Sequence, residues 1–279
     1  MIGVIGGTIA AVLWGTSGFV AARSARAIGS LVALAWVYIV GLAVALPVAL
    51  STGAPEVDGA GAAWAIVTAA AAVASLFLMY AALERGPVVL VMPLTAAQGG
   101  LAALLAVGTG EQLHWLAAAG LVAVGLGLAA VIRAPADAAP RPAAAIVLAL
   151  LSAATAAAAL FGSAEAGGAI GTPWLLVVLR ATGVVALALP LAASGRLHAP
   201  GRAGPLVVYS GLADTGAFAA YIIAASRDGV VVPAVLATQY ATIAAVLGIL
   251  ALGERPTRPQ LAGVGAILIG VAVVTAVQA

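Results

Sequence analysis

The 279-residue chain has no cysteine and no lysine, and only 7% of its residues are charged. Without cysteine there is no disulfide framework, no thiolate metal site and no cysteine nucleophile. The two histidines, His114 and His198, stand far apart at the edges of apolar segments and do not form a metal site. All eleven basic residues are arginines, and a dispersed net charge of +2 gives no nucleic-acid footprint. A soluble domain carries about 25% charged residues, so so little charge excludes an ordinary water-soluble fold. No Walker-type glycine-rich loop with its lysine is present, so nothing in the chain binds a nucleotide to drive pumping.

What is present is apolar. Hydrophobic residues make up 65% of the chain and the mean hydropathy is +1.22. Charges and Gly/Pro clusters cut the sequence into ten stretches long enough to cross a bilayer, at 2–22, 30–50, 61–83, 87–108, 113–133, 143–166, 173–194, 205–225, 230–252 and 259–278. Each meets the need for about 20 residues across roughly 30 Å of hydrocarbon. The chain opens apolar at Ile2 with no basic segment before it, which reads as a first helix and not as a signal peptide. The expected fold is an all-α polytopic membrane protein of ten transmembrane helices. Ala and Gly dominate nearly every span, as helices that approach closely in lipid require.

The longest polar connection, "RAPADAAPRP" (133–142), divides the spans five and five. The two halves echo each other. "GTGEQLHWLAAAG" (108–120) lies 143 residues before "ALGERPTRPQLAG" (251–263), which sets Gly110 on Gly253, Glu111 on Glu254 and Gly120 on Gly263. "YAALERG" (80–86) resembles "YIIAASRDG" (221–229), "LWGTSG" (13–18) resembles "LFGSAE" (160–165), and Gln98 stands 141 residues before Gln239. Five is odd, so two copies in one chain sit in the membrane with opposite orientation, as in many secondary transporters. The division is a first repeat over 1–133, a linker over 134–142 and a second repeat over 143–279, packed as inverted five-helix units around a central cavity. With both repeats in one chain, a monomer suffices.

A proline-bearing span (Pro233 to Leu252), then Gly253-Glu254, then "QLAGVGAILIG" (260–270) resembles the EamA domain of the drug/metabolite transporter superfamily. Trp14-Gly15 and "LRATGVVALALP" (179–190) fit the same pattern, and the resemblance covers essentially the whole chain. It implies a multi-pass carrier of the bacterial inner membrane that moves small metabolites without a cofactor, with YddG-type amino-acid exporters among its bacterial members. Tyr38 departs from the pattern by standing where the family often has arginine.

Polar atoms at mid-span need partners, so Trp14, Tyr38, Tyr80, Gln98, Tyr221, Gln239 and Tyr240 face either a helix interface or a hydrated cavity. Arg180 and Asp214 lie deep in spans seven and eight, with Glu165 near the end of span six, and such charges are expensive in a membrane unless paired or wet. One reading makes them a substrate cluster, in which the arginine meets a carboxylate and an acid meets an ammonium group or a coupling proton. The other is a structural ion pair. Pro93 and Pro233 either open carbonyls toward the cavity or act as tolerated kinks. Glu111 and Glu254 read as interfacial, capping the next helix or pairing with Arg255, and Trp64, Trp115 and Trp174 as interfacial anchors.

No serine or carboxylate has the activated partner that an intramembrane hydrolase needs, so an enzyme is not expected. The leading function is export of small metabolites, above all amino acids and their analogues, by alternating access. Drug-like or nucleotide-like solutes come second, and a lipid-handling protein is the rival class. Orientation divides two arguments. Nine arginines (Arg23, Arg26, Arg85, Arg133, Arg141, Arg196, Arg202, Arg255 and Arg258) lie in odd-numbered connections, against Arg227 alone in an even one. Basic connections stay in the cytoplasm, which puts both ends of the chain outside, whereas the family resemblance implies ends inside. The arginine count leads to the expectation that a reporter active only in the cytoplasm, fused after residue 279, stays dark; a bright reporter reverses the assignment.

Overall fold

A computed structural model describes residues 1–133, 143–252 and 257–278; the 134–142 linker, Gly253, Glu254 and Arg255 lie outside the described residues. All regular structure among the described residues is helical: α1 (Ile2–Ile28), α2 (Ser30–Ser51), α3 (Gly59–Arg85), α4 (Val88–Thr95), α5 (Ala97–Gly108), α6 (Trp115–Arg133), α7 (Ala143–Ile170), α8 (Thr172–Gly183), α9 (Leu189–Ala193), α10 (Gly204–Asp228), α11 (Val231–Ala237), α12 (Tyr240–Leu252) and α13 (Arg258–Gln278). Among the described residues, eight helical stretches are long and apolar enough to cross a membrane: α1, α2, α3, α4 with α5, α7, α8 through α9, α10, and α11 with α12. Two shorter apolar stretches, Trp115–Gly127 and Leu261–Val274, belong to α6 and α13.

Several helices outrun their expected limits. α1 continues to Ile28 past Arg23, and α10 to Asp228 past Arg227. A charge ends an apolar run, but arginine is a good helix former and the backbone ladder carries on into the interface. Two spans are broken where prolines were noted. α4 yields to α5 at Ala96, after Pro93, and α11 to α12 at Thr238 and Gln239, after Pro233. There the backbone bonds tighten to three-residue spacing, as in Gly99 N–H to the Ala96 carbonyl at 3.3 Å and Gln239 N–H to the Leu236 carbonyl at 3.0 Å. The third irregularity is a π turn, Val184–Ala188, that joins α8 to α9 just before Pro190. Proline lacks the N–H that would continue the four-residue ladder, and the wider turn absorbs the mismatch.

The helices pack in mirrored pairs. α1 lies along α10 as α7 lies along α3, α12 packs on α1 as α5 packs on α7, and α10 meets α2 as α3 meets α8. α2 pairs with its own counterpart α8, and α6 with its own counterpart α13. These self-pairs reveal the relative orientation of the halves. In the second, Gly120 backs onto Gly270 and Gly127 onto Gly263, so the two helices run antiparallel. A helix antiparallel to its own counterpart means that the repeats are inverted. The contact is also isologous: Gly120 corresponds to Gly263 and Gly127 to Gly270, so each contact is the image of the other. By contrast the echo of "LWGTSG" in "LFGSAE" is not structural. Gly15 backs onto Ile243 and Tyr240 of α12, whereas Gly162 backs onto Thr68 and Trp64 of α3.

The connections gather at two ends. Arg26 Nη2 donates to the Gly86 carbonyl at 3.3 Å and Trp36 Nε1 to the His198 carbonyl at 3.0 Å, which unites the turns after α1, α3 and α9. Arg23, Arg26, Arg85, Arg196 and Arg202 lie at this basic end with Glu84. At the other, acidic end, which carries Glu56, Asp58 and Asp228, Glu111 accepts from the Val230 and Val231 amides at 3.1 and 3.0 Å, and Trp174 Nε1 donates to the Gly53 carbonyl at 2.6 Å. Glu111 therefore caps α11 in the opposite half and not α6, the helix that follows it. The carboxylate reaches the nearest uncapped amides in space, which the inverted packing places across the repeat boundary.

The glycine contacts between α6 and α13 leave no room for a side chain. A Cβ on Gly120 would stand 2.6 Å from the Gly270 carbonyl oxygen, whereas one on Gly125 meets nothing within 4 Å. Gly120→Val should therefore cost about 1–3 kcal/mol through forced separation of the backbones, and Gly125→Val far less. Thermal unfolding of the two purified variants in detergent tests this, and equal melting temperatures would refute it.

Candidate functional site

The site begins where α2 crosses α8. Tyr38 and Gly41 stand eight and eleven residues into the segment that opens at Ser30 (38 − 30 = 8; 41 − 30 = 11), and Arg180 and Gly183 occupy the same places after Thr172 (180 − 172 = 8; 183 − 172 = 11). Each glycine makes room for the other half's long side chain. A Cβ on Gly41 would fall 2.7 Å from Arg180 Cδ, and one on Gly183 would run into the Tyr38 ring. Tyr38 and Arg180 are thus counterparts buried side by side, one neutral and one charged.

Arg180 Nη1 donates to Asp214 Oδ2 at 2.5 Å, and the two side chains are 1% and 6% exposed. Trp14 Nε1 donates to the remaining carboxylate oxygen, Oδ1, at 2.8 Å. Arg180 Nε and Nη2 have no hydrogen-bond acceptor among the described residues. The guanidinium carbon instead lies 5.4 Å from the Phe218 ring centroid and 5.9 Å from that of Tyr38. Aromatic faces stabilise a desolvated guanidinium that has few acceptors. Trp14 meets Phe218 edge-on, with centroids 5.0 Å apart. The network therefore joins α1, α2, α8 and α10, and so ties both halves together.

Asp214 opens onto a small, partly enclosed cavity between α1, α3, α4, α5, α7, α10 and α12. Its polar lining comprises Trp14, Ser17, Ser75, Tyr80, Gln98, Ser152, Asp214 and Tyr240, and the apolar wall includes Met79, Met92, Leu160 and Phe218. Tyr80 stands five residues before the end of α3 at Arg85 (85 − 80 = 5), so the cavity approaches within roughly 8 Å of the basic end. Toward the acidic end the Trp14–Phe218 pair closes it, backed by Tyr221, whose hydroxyl donates to the Leu160 carbonyl at 3.0 Å. Tyr240 is held by its hydroxyl bond to Thr95 Oγ1 at 2.7 Å, where the two broken spans cross.

Of the residues singled out in the sequence, Trp14, Tyr80, Gln98, Asp214 and Tyr240 line this cavity. Tyr38 and Arg180 lie behind Asp214 in the α2–α8 crossing, Tyr221 is committed to Leu160, and Gln239 Oε1 accepts from Thr242 Oγ1 at 3.3 Å. Glu165 is exposed on α7 and makes no ion pair with Arg180 among the described residues. It does not complete a cluster, because it points outward from α7, whose Ala164 and Gly167 are the residues that meet α10 there. Ser17, Ser75, Ser152, Met79, Met92 and Phe218 join the lining without having been anticipated. A serine in an alanine-rich helix looks the same in sequence whether it faces a neighbour or a cavity; Ser75 and Ser152 meet each other across α3 and α7 at 3.3 Å.

Residues 1–133 and 143–276 each match the EamA-like transporter family. The chain belongs to the EamA-like transporter family. No curated protein matches it. A solved crystal structure is similar over 99% of this chain and 97% of its own, with a TM-score of 0.74 and 21% sequence identity. That likeness concerns the fold. An EamA-like chain is a multi-pass membrane protein that moves small solutes, and its two matched segments are the inverted units of the packing.

In this EamA-like protein the buried pair is a two-sided constraint. Arg180→Leu leaves Asp214 charged and buried, and should destabilise the fold by about 3–5 kcal/mol. The double variant Arg180→Leu/Asp214→Asn removes both charges and should recover most of that loss. Denaturation of the wild type, the two single variants Arg180→Leu and Asp214→Asn, and the double variant in mixed micelles measures it; additive effects of the two substitutions would mean that the pair does not couple.

Proposed function

We propose that this EamA-like protein is a secondary transporter that exports small solutes, amino acids and their analogues first among them, by alternating access. In this reading all ten helical stretches, α6 and α13 included, cross the membrane. Residues 1–133 and 143–279 act as two half-transporters joined by the 134–142 linker. The observation that carries it is the placement of a mostly apolar cavity with one buried carboxylate, Asp214, between inverted repeats and near mid-depth. A site shared by two mirrored units is exposed to either side when one rocks against the other.

The broken spans supply the moving parts. α4–α5 and α11–α12 cross at their breaks, where Gly99 backs onto Ala234 and Thr238 of α11. A tightened, interrupted ladder bends at lower cost than a continuous helix. The basic end faces the cytoplasm of a bacterial inner membrane and residues 1 and 279 face outward, because basic connections resist translocation. Gradients drive transport.

Purified protein in proteoliposomes should move radiolabelled amino acids, and a strain expressing it should gain tolerance to toxic amino-acid analogues. Exchange of labelled lipid between leaflets with no solute flux would favour the lipid-handling reading instead.

A further inference from the structure

Only the second half supplies charge to the cavity. Tyr38 takes the place of Arg180 in the first half, and the place of Asp214 falls on Ala71, Ala72 or Val73 for any repeat offset from 141 to 143 (214 − 143 = 71; 214 − 141 = 73). Among the described residues the wall holds one carboxylate and no basic side chain. Asp214 is gripped by Arg180 at Oδ2 and by Trp14 at Oδ1. An ionised carboxylate accepts about four hydrogen bonds, so two acceptor positions remain. Arg180 is 1% exposed, does not line the cavity, and acts from beyond the carboxylate it holds. Coulomb energy falls with distance, so a charged group entering the cavity meets the negative pole first and nearer.

Resting on the transport reading above, we propose that Asp214 selects cargo by its amino group, and that no positive group stands opposite a cargo carboxylate. The class accepted is then compact primary amines, in which amino acids, their esters and their amides are equivalent at the recognised end. Arg180 is a positioning residue: it holds the Asp214 carboxylate in place and does not touch cargo. The uncharged Ser17, Gln98 and Tyr240 receive the other end of the molecule and tolerate acid, ester or amide there. Because the charge belongs to the second half alone, cargo binds in one orientation in spite of the two-fold frame.

The test compares alanine, leucine and phenylalanine with their methyl esters and their N-acetyl derivatives, by calorimetric binding to the full chain in detergent. Esterification removes the acid charge and keeps the ammonium; N-acetylation does the reverse. In at least one series the ester should bind as tightly as the parent and the N-acetyl compound at least about tenfold more weakly, a gap of about 1.4 kcal/mol. The Asp214→Asn/Arg180→Leu double variant, which leaves no unpaired buried charge, should shrink that gap below about threefold. An N-acetyl compound that equals its ester, binding by no series at all, or a gap unchanged in the double variant overturns the assignment. The wild-type ranking stands as a test even where the variant is not monodisperse. Binding is read apart from flux: amines that bind but are not moved would defeat the transport reading and leave this one in place.

Discussion

Two helices in lipid gain nothing by hiding apolar surface from each other, so they hold together only where their backbones come close or a polar bond crosses between them. This protein uses both devices on its own pseudo-symmetry axis. Gly120 and Gly127 fit against Gly270 and Gly263, and Gly41 and Gly183 make space for Arg180 and Tyr38. Every other packing relation follows in mirrored pairs. If the counterpart helices were held apart by side chains, the remaining helices would lose the frame that encloses the cavity.

The same frame makes room for an asymmetry. Symmetric packing demands equivalent volumes at equivalent places, not equivalent charges, and Tyr38 and Arg180 satisfy the first while differing in the second. Arg180 can be buried because Asp214 neutralises it and two aromatic rings cover its faces. Asp214 is fixed at the cavity wall because Arg180 and Trp14 occupy one position on each of its oxygens. The pair is thus a structural brace, and its Asp214 is, among the described residues, the one charged side chain of the wall. Those two readings, which were separate possibilities in the sequence, meet in one ion pair: Arg180 braces and Asp214 faces the cavity.

The broken spans complete the design. Tyr240 on one break bonds Thr95 on the other, and Gly99 sits against Thr238, so the discontinuities of the two halves touch near mid-depth. Pro93 and Pro233 are therefore tied to helix interruptions that border the cavity, and not to isolated kinks. Toward the acidic end, Trp14, Phe218 and Tyr221 fill the volume that Tyr80, Gly18 and Ala156 leave open on the other side.

Composition and length alone determined that this chain is a bundle of apolar helices, because so few charges and so many alanines leave no other way to satisfy the backbone in lipid. The repeat was legible in "GEQ" and "GER" and in the spacing of Gly120 and Gly263, since backbone contacts restrict a position to glycine wherever it recurs. The depth of Arg180 and Asp214 was legible too, as charge within an apolar run is conspicuous. Only the tertiary structure decided which polar residues share a space. Helix rotation separates Tyr38 from Tyr80 and Gln98 from Gln239, sends Glu165 outward, and carries Glu111 to α11 of the other half. One helical step of about 100° decides between cavity and interface, and that rotation is set by which small residues meet, a property of pairs of helices that no single helix encodes.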